Sequence, residues 1–69
     1  MTNDLYTLTN EREGTRYEFK RGTGDVWGGM YLVTRVWLAD NEREYMGAYD
    51  KNAARKYWDS LVASGFVKA

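Results

Sequence analysis

The feature that most constrains the fold is a change of hydrophobic period at Asp50, inside the segment EYMGAYDKNAARKYWDSL (44–61). Before Asp50, apolar and polar residues alternate with a period of about two, which is typical of a half-buried strand. After it, apolar residues recur every three or four positions, which is typical of an amphipathic helix. Such a helix must cover an apolar surface, and the strand that leads into it predicts that this surface is a sheet.

The helix is expected to span about residues 51–64. Asp50 is its predicted N-cap, because a carboxylate there can accept a backbone N–H of the first turn, and Asn52 is a rival cap. Gly65 is predicted to end the helix, with Phe66 folding back onto the last turn. The stripe expected to face the sheet consists of Ala53, Ala54, Tyr57, Trp58, Leu61 and Val62. The solvent side is expected to carry Lys51, Arg55, Lys56 and Asp59.

Four stretches before the helix are predicted strands: 4–9, 15–21, 30–38 and 43–49. The third, MYLVTRVWL, is the strongest because it is rich in β-branched and aromatic residues. A glycine-rich loop (22–29) and the turn ADNER separate the later strands, and Gly47 indicates a weak point or a bulge. The predicted fold class is α+β: one domain (1–69) in which an antiparallel three- to four-stranded β-meander packs on one C-terminal helix.

Alternation assigns the strand residues to two faces of this sheet. The face toward the helix is predicted to carry Tyr17, Phe19, Met30, Leu32, Val36, Leu38, Met46 and Ala48. The opposite face is expected to carry Arg16, Glu18, Lys20, Tyr31, Val33, Arg35, Trp37, Arg43, Tyr45 and Tyr49. No second helix is predicted to cover that face, so it should expose aromatic side chains among arginines. Two alternatives stay open: the aromatic residues only stabilise the sheet through cross-strand pairs, or residues 1–10 cover Trp37 and Tyr31.

The residue types of the chain argue against catalysis. The sequence contains no His and no Cys, so it lacks the usual general base near neutral pH and the usual nucleophilic dyads. The segment GTGDVWGG lacks the spacing of a phosphate-binding loop. Asp40, Glu42 and Glu44 cluster at one turn without the spacing of calcium ligands. The chain is therefore expected not to be an enzyme and to hold no metal or cofactor.

The charge balance limits the classes of partner. Ten basic and ten acidic residues give a net charge of zero, which counts against a general nucleic-acid binder. No apolar run reaches the roughly 20 residues that a membrane-spanning helix needs, and the N-terminal residues lack the features of a signal peptide. We expect a cytoplasmic protein without a membrane partner.

The aromatic and arginine face favours a small regulator or adaptor that binds a larger protein, because Trp, Tyr and Arg are enriched at binding hot spots. The predicted partner-binding residues are Tyr31, Arg35, Trp37, Arg43 and Tyr45. The alternative is duplex DNA binding by the same face, since interleaved arginines and aromatic rings suit phosphates and bases. That alternative adds Arg16, Lys20, Arg21 and Trp27. A homodimer that buries the face against itself is a third hypothesis.

Several short motifs of the chain resemble the AP2/ERF-type DNA-binding domain. They are Arg21–Gly22, Trp27–Gly28, Arg35 and above all MGAYDKNAARKY (46–57). The last run is similar to the family's strand end and the Ala-Ala-Arg-x-Tyr helix that follows it. The likeness covers about residues 20–58 and implies a three-stranded antiparallel sheet packed on one helix. It also implies duplex DNA as the partner, with four matching residues: Arg21, Trp27, Arg35 and Arg43.

The sequence departs from the AP2/ERF pattern in its first hairpin. There the family carries several arginines that reach DNA, whereas RGTGDVWGG has Thr23 and Asp25 at such positions. The helix start is also shorter by two residues. The resemblance therefore supports the expected fold more than DNA binding.

Overall fold

A computed structural model describes residues 5–22 and 28–68, which form a five-stranded sheet and one helix. The strands are β1 (Leu5–Asn10), β2 (Thr15–Arg21), β3 (Met30–Trp37), β4 (Arg43–Asp50) and β5 (Val67–Lys68). The helix α1 (Lys51–Ala63) lies between β4 and β5 in the chain. All neighbouring strands are antiparallel, in the spatial order β4-β3-β2-β1-β5. The α+β class, with a meander and a C-terminal helix, is confirmed; the two-residue β5 was not predicted.

The ends of α1 follow from local sequence. Asp50 is extended and its carboxylate accepts the N–H of Ala53 at 2.8 Å, so the predicted N-cap is confirmed. Gly65 follows the helix with a φ of 104°, in the region that favours glycine. The chain then turns back, and the N–H of Phe66 donates to the carbonyl of Leu61 at 3.0 Å. Phe66 folds back after the helix, as the sequence predicted, and is buried in the core.

The core lies between α1 and one face of the sheet. Its buried residues are Leu8, Phe19, Val33, Ala54, Leu61 and Phe66. Phe19 of β2 is paired with Val33 of β3. Its ring meets the rings of Tyr57 and Trp58 edge to face, at centroid distances of 5.7 and 5.3 Å. The helix therefore covers the sheet face that Phe19 and Val33 share.

The predicted faces of β3 are wrong. Directly paired residues of an antiparallel sheet share a face, so Val33 and Tyr31 lie on the helix side with Phe19. Tyr31 packs against the core and Val33 is fully buried in it. The residues that lie instead on the side away from the helix, here called the open face, are Met30, Leu32 and Val36 of β3 and Ala48 of β4. Tyr17, Phe19 and Met46 do pack on the helix side, as predicted.

Further predictions differ in detail. Leu38 lies in the turn after β3 rather than in the strand. Tyr49 packs against the core on the helix side instead of facing solvent. Val62 is 48% exposed, because the apolar stripe of α1 is narrower than its spacing indicated. Tyr49 changes side because one extra residue, Met46, lies between Tyr45 and Tyr49 in the strand pairing and interrupts the alternation.

A bulge between β3 and β4 marks the centre of the hairpin. The register shifts between Val33 and Thr34, which are paired with Gly47 and Tyr45 respectively, so Met46 is the extra residue. Gly47 has a φ of 122°, a backbone conformation that residues with a Cβ atom rarely adopt. Of the two alternatives that the sequence left open at Gly47, a weak point or a bulge, the structure shows a bulge beside it, with Met46 as the extra residue.

The N-terminal strand β1 extends the sheet rather than covering it. Residues 5–10 pair with β2 on one side and with β5 on the other. Tyr31 is covered by α1 and Trp37 is 38% exposed, so the hypothesis that the N-terminal residues bury them does not hold for residues 5–10. Among the described residues, no helix is long and apolar enough to cross a bilayer.

Candidate binding site at the end of the hairpin

The closed end of the β3–β4 hairpin places four of the predicted site residues close together. Arg35 is paired with Glu44, and Val36 with Arg43. The turn is closed by the N–H of Trp37, which donates to the carbonyl of Glu42 at 2.9 Å, and by the N–H of Asn41, which donates to Trp37 at 2.8 Å. We call Arg35, Trp37, Arg43 and Tyr45 the hairpin patch.

Arg35 and Trp37 form the helix-side half of the hairpin patch. The guanidinium carbon of Arg35 lies 4.5 Å from the centre of the Trp37 ring, within cation–π range. The same guanidinium is bound to the carboxylate of Glu44. The bonds to Glu44 and then to Tyr17 raise the pKa of Arg35 above its ordinary value. Arg35 is therefore a fixed cation that holds the indole in place.

Arg43 and Tyr45 form the other half, on the open face. Nη1 of Arg43 donates to Oε1 of Glu18 at 2.6 Å, across the width of β3. Oε2 of Glu18 lies 3.4 Å from Nε of Arg16. One carboxylate, whose side chain is only 13% exposed, thus holds two arginines from strands on either side of β3.

The Glu18 ion pairs also explain why Val36 is fully buried on a face that no described helix covers. Val36 is paired with Arg16 on one side and Arg43 on the other. Long arginine side chains cover apolar surface with their methylene groups while the charged ends stay hydrated. The two arginines, both ion-paired with Glu18, therefore cover Val36 and make this end of the sheet more rigid.

The hairpin end carries no excess of positive charge. Three arginines (16, 35 and 43) pair with two glutamates (18 and 44), and the turn adds the carboxylates of Asp40 and Glu42. A phosphate-binding surface needs an excess of positive charge. The hairpin end instead exposes aromatic side chains: Trp37 is 38% exposed and Tyr45 is 59% exposed.

The structure brings some predicted site residues together and separates others. Arg43, Tyr45, Arg16 and Lys20 lie on the open face, as predicted. Tyr31, Arg35 and Trp37 lie on the helix side, so the prediction of one continuous face is wrong. Tyr31 packs against the core, at the opposite end of β3 from Trp37. Arg21 is paired with Tyr31 and is exposed, and Trp27 lies outside the described residues.

Beside the hairpin patch, three tyrosines pack together under α1. The ring of Tyr57 lies 5.7 Å from that of Tyr17 and 5.3 Å from that of Tyr49. Burial, followed by the neighbouring Tyr17 and Tyr49, raises the pKa of Tyr57 to about 12, while Arg35 opposes this shift. The neutral phenol is therefore the form that the fold accommodates.

We expect the stability of the fold to fall as the pH rises from about 10 through about 12 on account of Tyr57. The Tyr57 phenol has a pKa near 10.0 in the unfolded chain and about 12 in the folded chain. Its ionisation therefore favours the unfolded state only above pH 10. Urea unfolding at several pH values measures the effect. Tyr57→Phe should flatten the decline, whereas Tyr45→Phe, outside the cluster, should keep the wild-type slope. Equal slopes for both variants would contradict the assignment.

Sequence reasoning missed two parts of this geometry. It placed Glu18 on the open face but did not identify it as the partner of two arginines, because the pairing with Arg43 depends on strand order. It also assigned Lys51 and Arg55 only to solvent. Their spacing from Trp58, at seven and three residues, was the available signal that they share a side of α1 with it.

No protein-family model, curated protein or solved structure matches the chain. The AP2/ERF resemblance therefore stays a prediction from the residues alone. Among the residues that the structure describes, no cluster of three or more His, Cys, Asp or Glu side chains is arranged to hold a metal ion.

Proposed function

We propose that this chain is a small non-catalytic regulator or adaptor that docks on a larger protein through the hairpin patch. The observation that carries the proposal is the exposure of Trp37 and Tyr45 on the two sides of one hairpin end. Because the two rings lie on opposite faces of the sheet, the partner would enclose the end of the hairpin, and exposed apolar patches tend to mark interaction sites. Trp, Tyr and Arg are also the residues that contribute most to protein interfaces.

The rigidity of the hairpin patch supports the same proposal. Glu44 and the Trp37 ring hold Arg35, and Glu18 holds Arg43. A surface whose side chains are already ordered loses less conformational entropy on binding. A partner can then gain from contact with Trp37 without first ordering this ring, which Arg35 holds.

Duplex DNA is the second candidate partner, and two exposed cations favour it. Lys20 and Arg21, at the end of β2, form no ion pair with other described residues. The lack of excess positive charge at the hairpin end weighs against this candidate, because phosphate contacts provide most of the affinity of non-specific DNA binding. We therefore rank protein binding first.

Affinity capture with three forms of the immobilised protein tests the proposal: wild type, the double variant Trp37→Ala/Tyr45→Ala, and Val62→Ala. Val62 is the control, since it is an exposed apolar residue of α1 outside the hairpin patch. We expect a protein that is retained by the wild type and by Val62→Ala and is lost from the double variant. With that partner purified, Trp37→Ala alone should weaken binding by about thirtyfold, the effect of a hot-spot residue.

Other outcomes would contradict protein binding by the hairpin patch. Capture of the same proteins by all three forms would mean that the patch has no role in binding. A titration with random-sequence duplex DNA at low and physiological salt tests the second candidate: saturable binding that weakens steeply with salt would favour DNA. Self-association that only the double variant abolishes would favour the homodimer. Circular dichroism of each variant verifies that the fold is retained.

A further inference from the structure

A concave surface lies at the other end of the molecule from the hairpin patch. It is a groove of about 370 Å³ between the first half of α1 and the helix side of the sheet. Its lining residues are Tyr6, Phe19, Tyr31, Lys51, Asn52, Ala54, Arg55 and Trp58. This volume is within the range of about 300–1,000 Å³ that small-molecule sites occupy.

The groove combines aromatic walls with a basic rim. Tyr6 and Tyr31 come from β1 and β3, Phe19 lies between them on β2, and Trp58 comes from the helix. Lys51 and Arg55 are on the same side of α1 as Trp58, since residues three, four and seven apart align on a helix.

The two cations of the rim are available to a ligand. Lys51 and Arg55 are exposed and form no ion pair with any residue in the described part of the chain. Of the carboxylates nearest to them along the chain, that of Asp50 accepts the N–H of Ala53, that of Asp59 forms no ion pair with a described residue, and neither lines the groove. This contrasts with the hairpin end, where Arg16, Arg35 and Arg43 all have carboxylate partners.

We propose that this groove binds a small ligand with one planar aromatic ring and one anionic group, of the class of a mononucleotide. The ring would stack against the tyrosines and Trp58, because aromatic side chains accept any planar base. The anionic group would be bound by Lys51 and Arg55, since charge-assisted hydrogen bonds are stronger than neutral ones. Asn52, at the rim, supplies both a donor and an acceptor for polar groups of the ligand.

The test is a titration with adenosine monophosphate at physiological salt, followed by amide and indole chemical shifts of the ¹⁵N-labelled protein. We expect saturable shifts at Ala54, Arg55 and Trp58, and none at Trp37 or Tyr45. Adenosine lacks the phosphate and ribose 5-phosphate lacks the aromatic base. Each should therefore bind at least about tenfold more weakly than adenosine monophosphate. Saturable binding of either one as tight as that of the monophosphate would overturn the proposal.

Two charge-matched variants locate the anion. Lys51→Gln/Arg55→Gln should weaken binding of the monophosphate by at least about tenfold, since two charge-assisted contacts are lost. Lys56→Gln/Lys68→Gln removes the same net charge outside the groove and should bind like the wild type. Equal weakening in both variants, or no saturable shift in the wild type, would contradict the site. The spectra themselves show whether each variant is folded.

Discussion

Phe19→Ala is expected to reduce the free energy of unfolding by about 3–5 kcal/mol, the usual cost of removing a buried phenylalanine. Phe19 is 3% exposed and lies in the middle of the sheet, paired with Tyr6 and Val33. Its ring also contacts Tyr57 and Trp58 edge to face, and each such pair adds about 0.5–1.5 kcal/mol beyond burial. Phe19 thereby connects β1, β3 and α1, as Tyr17 also does through Leu8, Arg35 and Tyr57.

The consequence of this loss depends on the size of the domain. At about 0.05–0.15 kcal/mol per residue, a chain of 69 residues has a total stability of about 3–10 kcal/mol. The loss is therefore a large fraction of the total, and at the lower end of that range the variant should be largely unfolded at room temperature. Urea unfolding followed by circular dichroism measures the change.

Two further variants make the Phe19 result interpretable. Phe19→Leu keeps an apolar side chain at the site and loses only the ring contacts, so it should be destabilised less and remain measurable. Tyr45→Ala removes an aromatic residue that is 59% exposed in the same sheet, and should change stability by no more than about 0.5 kcal/mol. If Tyr45→Ala cost as much as Phe19→Ala, the described core would be wrong.

The second large effect is the difference between two leucines on opposite faces of the sheet. Leu8→Ala should cost about 2–5 kcal/mol, because Leu8 is fully buried in the core and a cavity would remain. Leu32→Ala should cost about 1 kcal/mol, because Leu32 is only half-buried on the open face, between Lys20 and Ala48.

The comparison of Leu8 with Leu32 uses the same chemical change twice, so the difference reports burial alone. Thermal and urea unfolding of both variants under one set of conditions suffice. A larger loss for Leu32→Ala than for Leu8→Ala would reverse the faces of β3 and restore the arrangement that alternation alone predicted. It would also move Tyr31 out of the groove and onto the same side as Tyr45.

The hairpin patch and the groove differ in the chemistry that they offer. At the hairpin end every arginine has a carboxylate partner, and exposed rings dominate. In the groove, Lys51 and Arg55 have no such partner among the described residues, and the rings are arranged around a cavity. The two sites lie near opposite ends of β3, about 20 Å apart at the usual rise of a strand. Each can therefore be tested with variants that leave the other unchanged.

Local sequence determined the elements that depend on neighbours in the chain. The capping carboxylate of Asp50, the glycine at position 65 and the change of period between them define the start and end of α1. The alternation of Tyr17 and Phe19 with charged residues defines β2 and its two faces. Gly47 indicated the bulge, because a backbone with positive φ excludes most other residues. These features can be predicted without knowing which residues pack against them.

The tertiary structure decided which side of β3 faces the helix. Both alternating sets of this strand are apolar, with Leu32 and Val36 in one set and Tyr31 and Val33 in the other. Alternation therefore does not indicate which of the two sets faces the helix. The choice depends on the register with β2, where Phe19 is paired with Val33, and on the rings of Tyr57 and Trp58 that cover this pair. The same non-local packing split the predicted binding face into two halves and brought Lys51 and Arg55 to the rim of a groove. Strand alternation is a local property, whereas the covered face depends on contacts between residues far apart in the chain.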